Sequence, residues 1–148
     1  MSSTAMNLLA TKNASVVFTC SKDATVQEAA KLMSMRRVGA LVVTDGGQAL
    51  QGIFSERDVM MRVVAEGRDA ARTRVGEVMT TEVITISPET SIEDVEAIMR
   101  RHRVRHLPIV GDRGLVGLVS IGDVLVHHAE SRKEMVEQLT EYVTGAYR

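Results

Sequence analysis

Aromatic side chains are scarce in this chain of 148 residues, which has two Phe, two Tyr and no Trp. A surface that stacks the bases of single-stranded nucleic acid on aromatic rings is therefore not expected. An excess of positive charge is also missing, because 18 Lys and Arg residues face 19 Asp and Glu residues, for a formal net charge of −1. That balance argues against general binding to nucleic acid or to an anionic membrane.

Cysteine and long apolar runs are equally rare. Cys20 is the single cysteine, so no internal disulfide can form, which favours a reducing compartment. Residues 1–10 have no basic region followed by a long apolar run, and no segment approaches the ~20 apolar residues of a membrane-spanning helix. We therefore expect a cytoplasmic protein with no membrane partner. The four histidines and Cys20 lack the spacing of a metal site, and no base is placed beside Cys20, Ser55 or Ser120 for nucleophilic catalysis.

An internal repeat organises most of the chain. Residues 17–21 (VFTCS) match residues 83–87 (VITIS) at an offset of 66. After the next turn the offset becomes 65, and residues 52–58 (GIFSERD) match residues 117–123 (GLVSIGD). Register held over this many positions indicates a duplicated unit.

Each copy of the unit predicts the element order β-α-β-β-α over about 60 residues. In the first repeat we predict strands over 16–19 and 40–44, a helix over 25–36, a third strand that ends at 54 and a second helix that begins at 55. In the second repeat the corresponding bounds are 83–86 and 106–110, 91–102, 119 and 120. Thr25 and Ser91 are predicted helix N-caps, with Glu28 and Asp94 as their capping-box partners. A unit this small buries little apolar surface alone, so we expect two units packed sheet to sheet around one shared core. A short docked helical turn is expected in the connector 70–80.

The motif Gly-apolar-apolar-Ser-x-x-Asp occurs once in each unit, where a strand runs directly into a helix. Ser55 and Ser120 lie where an N-cap belongs, and Asp58 and Asp123 follow three residues later. A capping box without further function explains this pattern. The alternative is a ribose site, because one carboxylate beside free helix N–H groups can accept hydrogen bonds from two hydroxyls.

The duplicated unit and its linker resemble a tandem pair of cystathionine-β-synthase-type (CBS) domains, called a Bateman module. The resemblance rests on the two motifs and on the segments 75–80 (VGEVMT) and 104–109 (VRHLPI). It implies an α+β fold of two pseudo-symmetric β-α-β-β-α repeats packed sheet to sheet. The first repeat would span 1–72 with an N-terminal arm, and the second 73–148 with the linker helix and an extended C-terminal helix. The resemblance also implies a homodimer.

The resemblance further implies a regulatory module, not an enzyme, that binds an adenosyl ligand between the repeats. AMP, ADP, ATP, S-adenosylmethionine and NAD are the ligands of the family. In the family the motif Asp holds the ribose and the Ser lies beside the ribose or phosphate. The implied site residues are Ser55 and Asp58, Ser120 and Asp123, with Ile53, Leu118, Gly39 and Ala40 around the adenine.

Arg105 and His106 stand out within the basic segment 100–106 because they lead into a strand and are expected in or beside a cleft. The segment is similar to one in the nucleotide-sensing subunit of AMP-activated protein kinase, where basic residues contact phosphates, with the order of His and Arg reversed. An Arg can hold a phosphate with two parallel hydrogen bonds. The first repeat has Gly39 and Ala40 at these positions, so we expect the two clefts to differ in affinity or in ligand charge.

The C-terminal segment 121–147 carries a loose apolar stripe, which fits packing on its own module or, as we favour, helix pairing across a homodimer. The sequence therefore predicts a non-enzymatic sensor of adenine nucleotides that signals to a separate effector protein. The alternative is a dimeric assembly module whose clefts bind nothing. A small nucleotide-processing enzyme would need a positioned base or metal, which the sequence does not indicate.

Overall fold

The structure, a computed structural model, describes residues 3–11 and 17–144. Its elements are α1 (Ala5–Thr11), β1 (Thr19–Cys20), α2 (Val26–Arg36), β2 (Ala40–Thr44), β3 (Leu50–Ser55), α3 (Glu56–Asp58, continued by a π-helix over Val59–Val64), α4 (Val75–Val78), α5 (Ile92–His102), β4 (His106–Gly111), β5 (Gly114–Ser120) and α6 (Ile121–Thr144). The antiparallel pairs β2–β3 and β4–β5 form one hairpin in each repeat, and β1 adds to the first in parallel. The predicted α+β fold of two pseudo-symmetric repeats is confirmed. Within the described residues, no helix is long and apolar enough to cross a membrane.

The first helix of each repeat begins where its cap predicts. The Glu28 N–H donates to Thr25 Oγ1 and the Asp94 N–H donates to Ser91 Oγ, each at 3.1 Å. The reciprocal bonds predicted for the Glu28 and Asp94 side chains are not formed in the part of the chain that the structure describes. One hydroxyl that satisfies one free N–H is therefore enough to start each helix.

The first strand of each repeat is shorter than predicted. In the first repeat it covers Thr19–Cys20, and Val16 lies outside the described residues. In the second repeat the predicted strand 83–86 is wrong, because only Ile86 pairs with Ile109. Val42 explains the difference, since its N–H donates to the Phe18 carbonyl at 3.1 Å. Its repeat counterpart is Pro108, which has no N–H and cannot donate the equivalent bond.

The two short helices α1 and α4 occupy equivalent places on opposite repeats. The Ala5 N–H donates to the Thr90 carbonyl of the second repeat at 2.8 Å, and the Val75 N–H donates to the Ala24 carbonyl of the first repeat at 2.8 Å. Helix α1, which precedes the first repeat, thus packs on the second, and helix α4, which precedes the second repeat, packs on the first. The prediction grouped the N-terminal arm with the first repeat, whereas its described contacts lie with the second. The boundary between 1–72 and 73–148 stays a prediction.

Two apolar clusters, one in each repeat, replace the single shared core that the sequence predicted. The first contains Val26, Ala29, Met33, Leu41, Val43, Phe54, Val63, Val75 and Val78; the second contains Ala5, Leu8, Ile86, Ile92, Val95, Met99, Leu107, Ile109, Val119 and Val124. Each repeat can fill its own core because a short helix covers it: α4 covers the first core and α1 covers the second. Alternation along β2 explains how the repeats still meet, because Leu41 points into its own cluster while the buried Val42 points to the opposite face. The hairpins also bond directly, through the Leu115 N–H and the Gln48 carbonyl at 3.1 Å.

Replacing Leu8 by Ala tests the role of α1 as part of the second core. Leu8 is fully buried, so the L8A variant should lose about 2–5 kcal/mol of unfolding free energy through lost apolar burial and an unfilled cavity. Urea denaturation followed by circular dichroism measures the loss. Met6 lies on the same helix but is 43% exposed, and M6A is the matched control with little expected change. Equal stability of L8A and the unchanged protein would contradict the packing of α1.

Candidate functional site

Two clefts open between the repeats, one at each Ser-x-x-Asp motif. The Asp123 cleft, a cavity of about 410 Å³, is lined by Leu9, Val17, Phe18, Arg36, Arg37, Val38, Gly39, Ala40, His106, Val116, Gly117, Leu118, Ser120 and Asp123. The Asp58 cleft, about 470 Å³, is lined by Ile53, Ser55, Arg57, Asp58, Met61, Arg62, Glu66, Thr80, Arg103, Val104 and His106. Both volumes fall within the range of small-molecule sites.

Both motifs form the predicted capping boxes. The Ser55 N–H donates to Asp58 Oδ2 at 2.9 Å, and the Asp58 N–H donates back to Ser55 Oγ at 3.4 Å. In the second repeat the Ser120 N–H donates to Asp123 Oδ2 at 2.7 Å, and the Asp123 N–H donates to Ser120 Oγ at 3.2 Å. Each Asp therefore uses Oδ2 to cap its helix.

Oδ1 of Asp58 is held by the linker and by the following helical turn. Thr80 Oγ1 donates to it at 3.2 Å, and Arg62 Nε lies 3.7 Å away as an ion pair. Arg62 also donates to the carbonyls of Val78 and Met79, at 3.2 and 3.0 Å. Asp58 is only 7% exposed as a result. This carboxylate ties the linker to the first repeat.

A glycine precedes each motif because another segment lies against the strand there. A Cβ on Gly52 would come within 2.7 Å of the Thr80 carbonyl oxygen, and a Cβ on Gly117 within 2.5 Å of Leu9 Cδ1. The linker thus covers the wall of the Asp58 cleft with backbone, and α1 covers that of the Asp123 cleft with a side chain. A side chain can move by changing its rotamer, whereas the paired linker backbone cannot.

More apolar residues line the Asp123 cleft than the Asp58 cleft. Asp123 is half-buried, and Phe18, Val38 and Leu118 line the same cavity. The guanidinium of Arg36 lies over the Phe18 ring, 5.2 Å from its centroid, a cation–π contact. The cleft therefore combines apolar surface with one carboxylate and a cationic rim.

The predicted site residues divide between the two clefts. The structure brings Gly39, Ala40 and Leu118 together at Ser120 and Asp123, and it brings Ile53 to Ser55 and Asp58. Arg105 lines a smaller cavity beside Ser55, whereas His106 lines this cavity and both clefts. The basic pair at 105 and 106 therefore belongs mainly to the Asp58 side, an assignment that the sequence left open.

Leu9, Arg37 and Thr80 line the clefts but were not predicted from the sequence. At an offset of 70, residues 4–9 (TAMNLL) and 74–79 (RVGEVM) share apolar positions but no identical residue, and Leu9 aligns with Met79. Both approach the glycine of a motif. Arg37 matches Arg103 at the offset of 66, whereas the repeat pattern contains no signal for Thr80.

Cys20 has the chemistry of a packed thiol. Burial raises the pKa of its thiol to about 11, because desolvation penalises the thiolate. The thiol is thus protonated at neutral pH and is a poor nucleophile.

Comparison with known proteins agrees with the repeat seen in the sequence and in the structure. A family model described as the CBS domain matches residues 13–65 and 75–130. The chain is 41% identical, over 86% of its length, to the mitochondrial CBS domain-containing protein CBSX3 of Arabidopsis thaliana, of which it spans 64%. A solved protein with CBS domains from Burkholderia ambifaria superposes with a TM-score of 0.79 at 38% identity, covering 83% of this chain and 91% of that one.

A more distant CBS domain pair has the same fold. That pair, solved in complex with 5′-methylthioadenosine and S-adenosyl-L-methionine, is 22% identical and superposes with a TM-score of 0.77 over 88% of this chain and 99% of that one. The match of the family model to both halves carries the assignment by itself. The chain therefore belongs to the CBS-domain family and contains two CBS domains.

Proposed function

We propose that this CBS pair is a non-enzymatic sensor that binds an adenosine-containing ligand, an adenine nucleotide or NAD, in a cleft between its repeats. The observation that carries the proposal is a motif carboxylate at the edge of a ligand-sized cavity, beside the start of a helix. Such a carboxylate can accept hydrogen bonds from both ribose hydroxyls. The adenosyl ligands of the distant solved pair support this ligand class.

The cleft suits an adenine held by aliphatic walls. Val38 and Leu118 provide apolar contact on two sides of the Asp123 cleft, and Phe18 is its aromatic residue. The phosphate end of a ligand must turn away from the aspartate and toward a cation, because like charges repel. His106 is a proposed phosphate contact because it lines both clefts, whereas Arg105, the other basic residue that the resemblance implies, lies beside Ser55 on the Asp58 side.

Ligand binding would be transmitted through the angle between the repeats. One connection between them is the Arg57 Nη1 donor and the Arg103 carbonyl, 3.3 Å apart. A ligand shifts such an arrangement only by binding one state better than the other. The signal would be read by an effector protein, and the cytoplasmic location remains a prediction.

Helix α6 favours an assembly role beside the sensing role. Near its start it packs on the module, where Val124 is buried and His128 pairs with Glu96 of α5. Farther along, it exposes an apolar stripe at helical spacing: Met135, Val136, Leu139, Tyr142 and Val143. The stripe would be covered by the same helix of a second copy, since exposed stripes of this kind mark contact surfaces.

The charges beside the stripe favour an antiparallel pair. Lys133 precedes the stripe and Glu141 lies near its end. Antiparallel pairing centred on position 137 places Lys133 opposite Glu141 of the partner subunit, whereas parallel pairing aligns like charges. We therefore propose a homodimer through α6, which would also be the whole function if the clefts bind no ligand.

Isothermal titration with AMP, ATP, NAD and S-adenosylmethionine tests the ligand proposal. At least one of them should bind the unchanged protein with a Kd well below about 1 mM, which corresponds to only ~4 kcal/mol of binding free energy. The D123A variant should weaken that binding about tenfold or more, because a charged hydrogen-bond acceptor is lost. Asp112 lies exposed in the β4–β5 turn, and D112A is the matched control that should bind like the unchanged protein. No binding of any of the four, or equal binding by D123A, would contradict the proposal.

Sedimentation equilibrium tests the dimer. The unchanged protein should have twice the mass of the chain, and L139E should be a monomer, because a buried Glu without a partner is costly. Q138E is the matched control: it adds the same charge beside the stripe and should remain a dimer. A monomeric unchanged protein, or a dimeric L139E, would contradict pairing through α6.

A further inference from the structure

The two clefts are unequal, and the difference points to one ligand site and to a residue that recognises the phosphate. Resting on the proposed function, we infer that the nucleoside binds in the Asp123 cleft and that Arg37 binds its phosphate there. Asp58 instead serves to hold the linker on the first repeat.

Asp58 is committed to structure. Its Oδ2 accepts from Ser55, its Oδ1 accepts from Thr80, and Arg62 neutralises its charge from 3.7 Å. Ser55 Oγ also donates to Oδ2 at 3.3 Å, so three of about four acceptor positions are used and two ribose hydroxyls could bind only by displacing one of these donors. The Thr80 backbone is fixed as well, since it exchanges two hydrogen bonds with Ile53, at 2.9 and 3.0 Å.

The Asp123 cleft differs in the residues that cover it and in the residue one helical turn after the aspartate. Asp123 is half-buried where Asp58 is buried. At the position of Arg62 the second repeat has His127, a shorter side chain with a ring in place of the guanidinium. The Leu9 side chain covers Gly117, and it can change its rotamer to make room for the adenine ring. A nucleoside therefore enters the Asp123 cleft at a smaller cost than the Asp58 cleft.

Arg37 is held in a backbone conformation that favours another residue. It ends α2 with φ +55°, in the left-handed region, where glycine is the usual residue. Arg103 is its repeat counterpart, with φ +53° at the end of α5. Arg37 lines the Asp123 cleft, and Arg103 lines the Asp58 cleft. Because the two residues share this conformation, Arg103 is a matched control for the backbone at Arg37, and the clefts that they line are what distinguish them.

Arg37 supplies the cation that the Asp123 cleft needs for an anionic ligand. Arg105 lies beside Ser55 on the other side, and the equivalent position in the first repeat is Gly39. The Arg36 guanidinium lies over the Phe18 ring, whereas Arg37 extends the same cationic rim. Repulsion from Asp123 directs a phosphate toward this rim, and a guanidinium can bind it with two parallel bonds. A nucleoside phosphate is therefore preferred over a neutral nucleoside.

Paired glycine substitutions separate the role of Arg37 in binding from its role in the backbone. Both R37G and R103G relieve a left-handed residue, so both should raise the Tm by about 3 °C. R37G should weaken AMP binding about tenfold or more while leaving adenosine binding unchanged. R103G should bind AMP and adenosine like the unchanged protein. Calorimetric titration with AMP and adenosine, together with scanning calorimetry, measures all of these quantities.

Other results would overturn the inference in distinguishable ways. Loss of AMP affinity in R103G but not in R37G would place the phosphate in the Asp58 cleft. Equal losses for AMP and adenosine in R37G would show a structural role for Arg37 and no phosphate contact. Both results would leave the proposed adenosyl sensor intact. Failure of the unchanged protein to bind AMP and adenosine would overturn this inference, and failure to bind ATP, NAD and S-adenosylmethionine as well would overturn the proposed function.

Discussion

The structure depends on the exchange of two short helices between its repeats. Ala5 and Leu8 of α1 complete the core of the second repeat, and Val75 and Val78 of α4 complete that of the first. Neither repeat forms a complete core from its own continuous segment. The second repeat takes α1 from the chain before the first repeat, and the first repeat takes α4 from the chain before the second. The two units are therefore interlocked through the chain, although their apolar cores are separate. This arrangement explains how units of about 60 residues, too small to be stable alone, form one module.

The same exchange makes the two clefts different. Each exchanged helix brings residues against the glycine of one motif. These residues differ between the two repeats, so the pseudo-symmetry is broken there. The linker after α4 brings Thr80, which bonds to Asp58 in one cleft. Helix α1 brings Leu9, an apolar side chain, to the other. The two copies of the motif thus both line cavities, but Asp58 also holds the linker on the first repeat.

Local signals in the sequence were sufficient for the helix starts and for the motif geometry. Thr25 and Ser91 predicted helix starts to within one residue, since capping depends only on neighbours in the chain. The Ser55–Asp58 and Ser120–Asp123 bonds followed from the same short-range rule. Contacts made across the fold could not be read in this way. Examples are the packing of α1 on the second repeat and the bond between Thr80 and Asp58, which join residues far apart in sequence.

Two further differences have specific physical causes. Pro108 removes a donor from β4, so the first strand of the second repeat is reduced to one pairing; a comparison of Val42 with Pro108 could have revealed this from the repeat alignment. The left-handed conformation of Arg37 had no such signal, because glycine and asparagine are the residues that announce it. The placement of Arg105 away from the Asp123 cleft also required the tertiary arrangement of the hairpins.

Titration of a 15N-labelled sample with AMP, followed by amide chemical shifts, tests the choice between the two clefts. Binding in the Asp123 cleft predicts saturable shifts concentrated at Phe18, Arg37, Leu118 and Asp123, which line one cavity, with little change at Ile53 and Thr80. Shifts concentrated at Ile53, Asp58 and Thr80, or no saturable shifts at all, would contradict it.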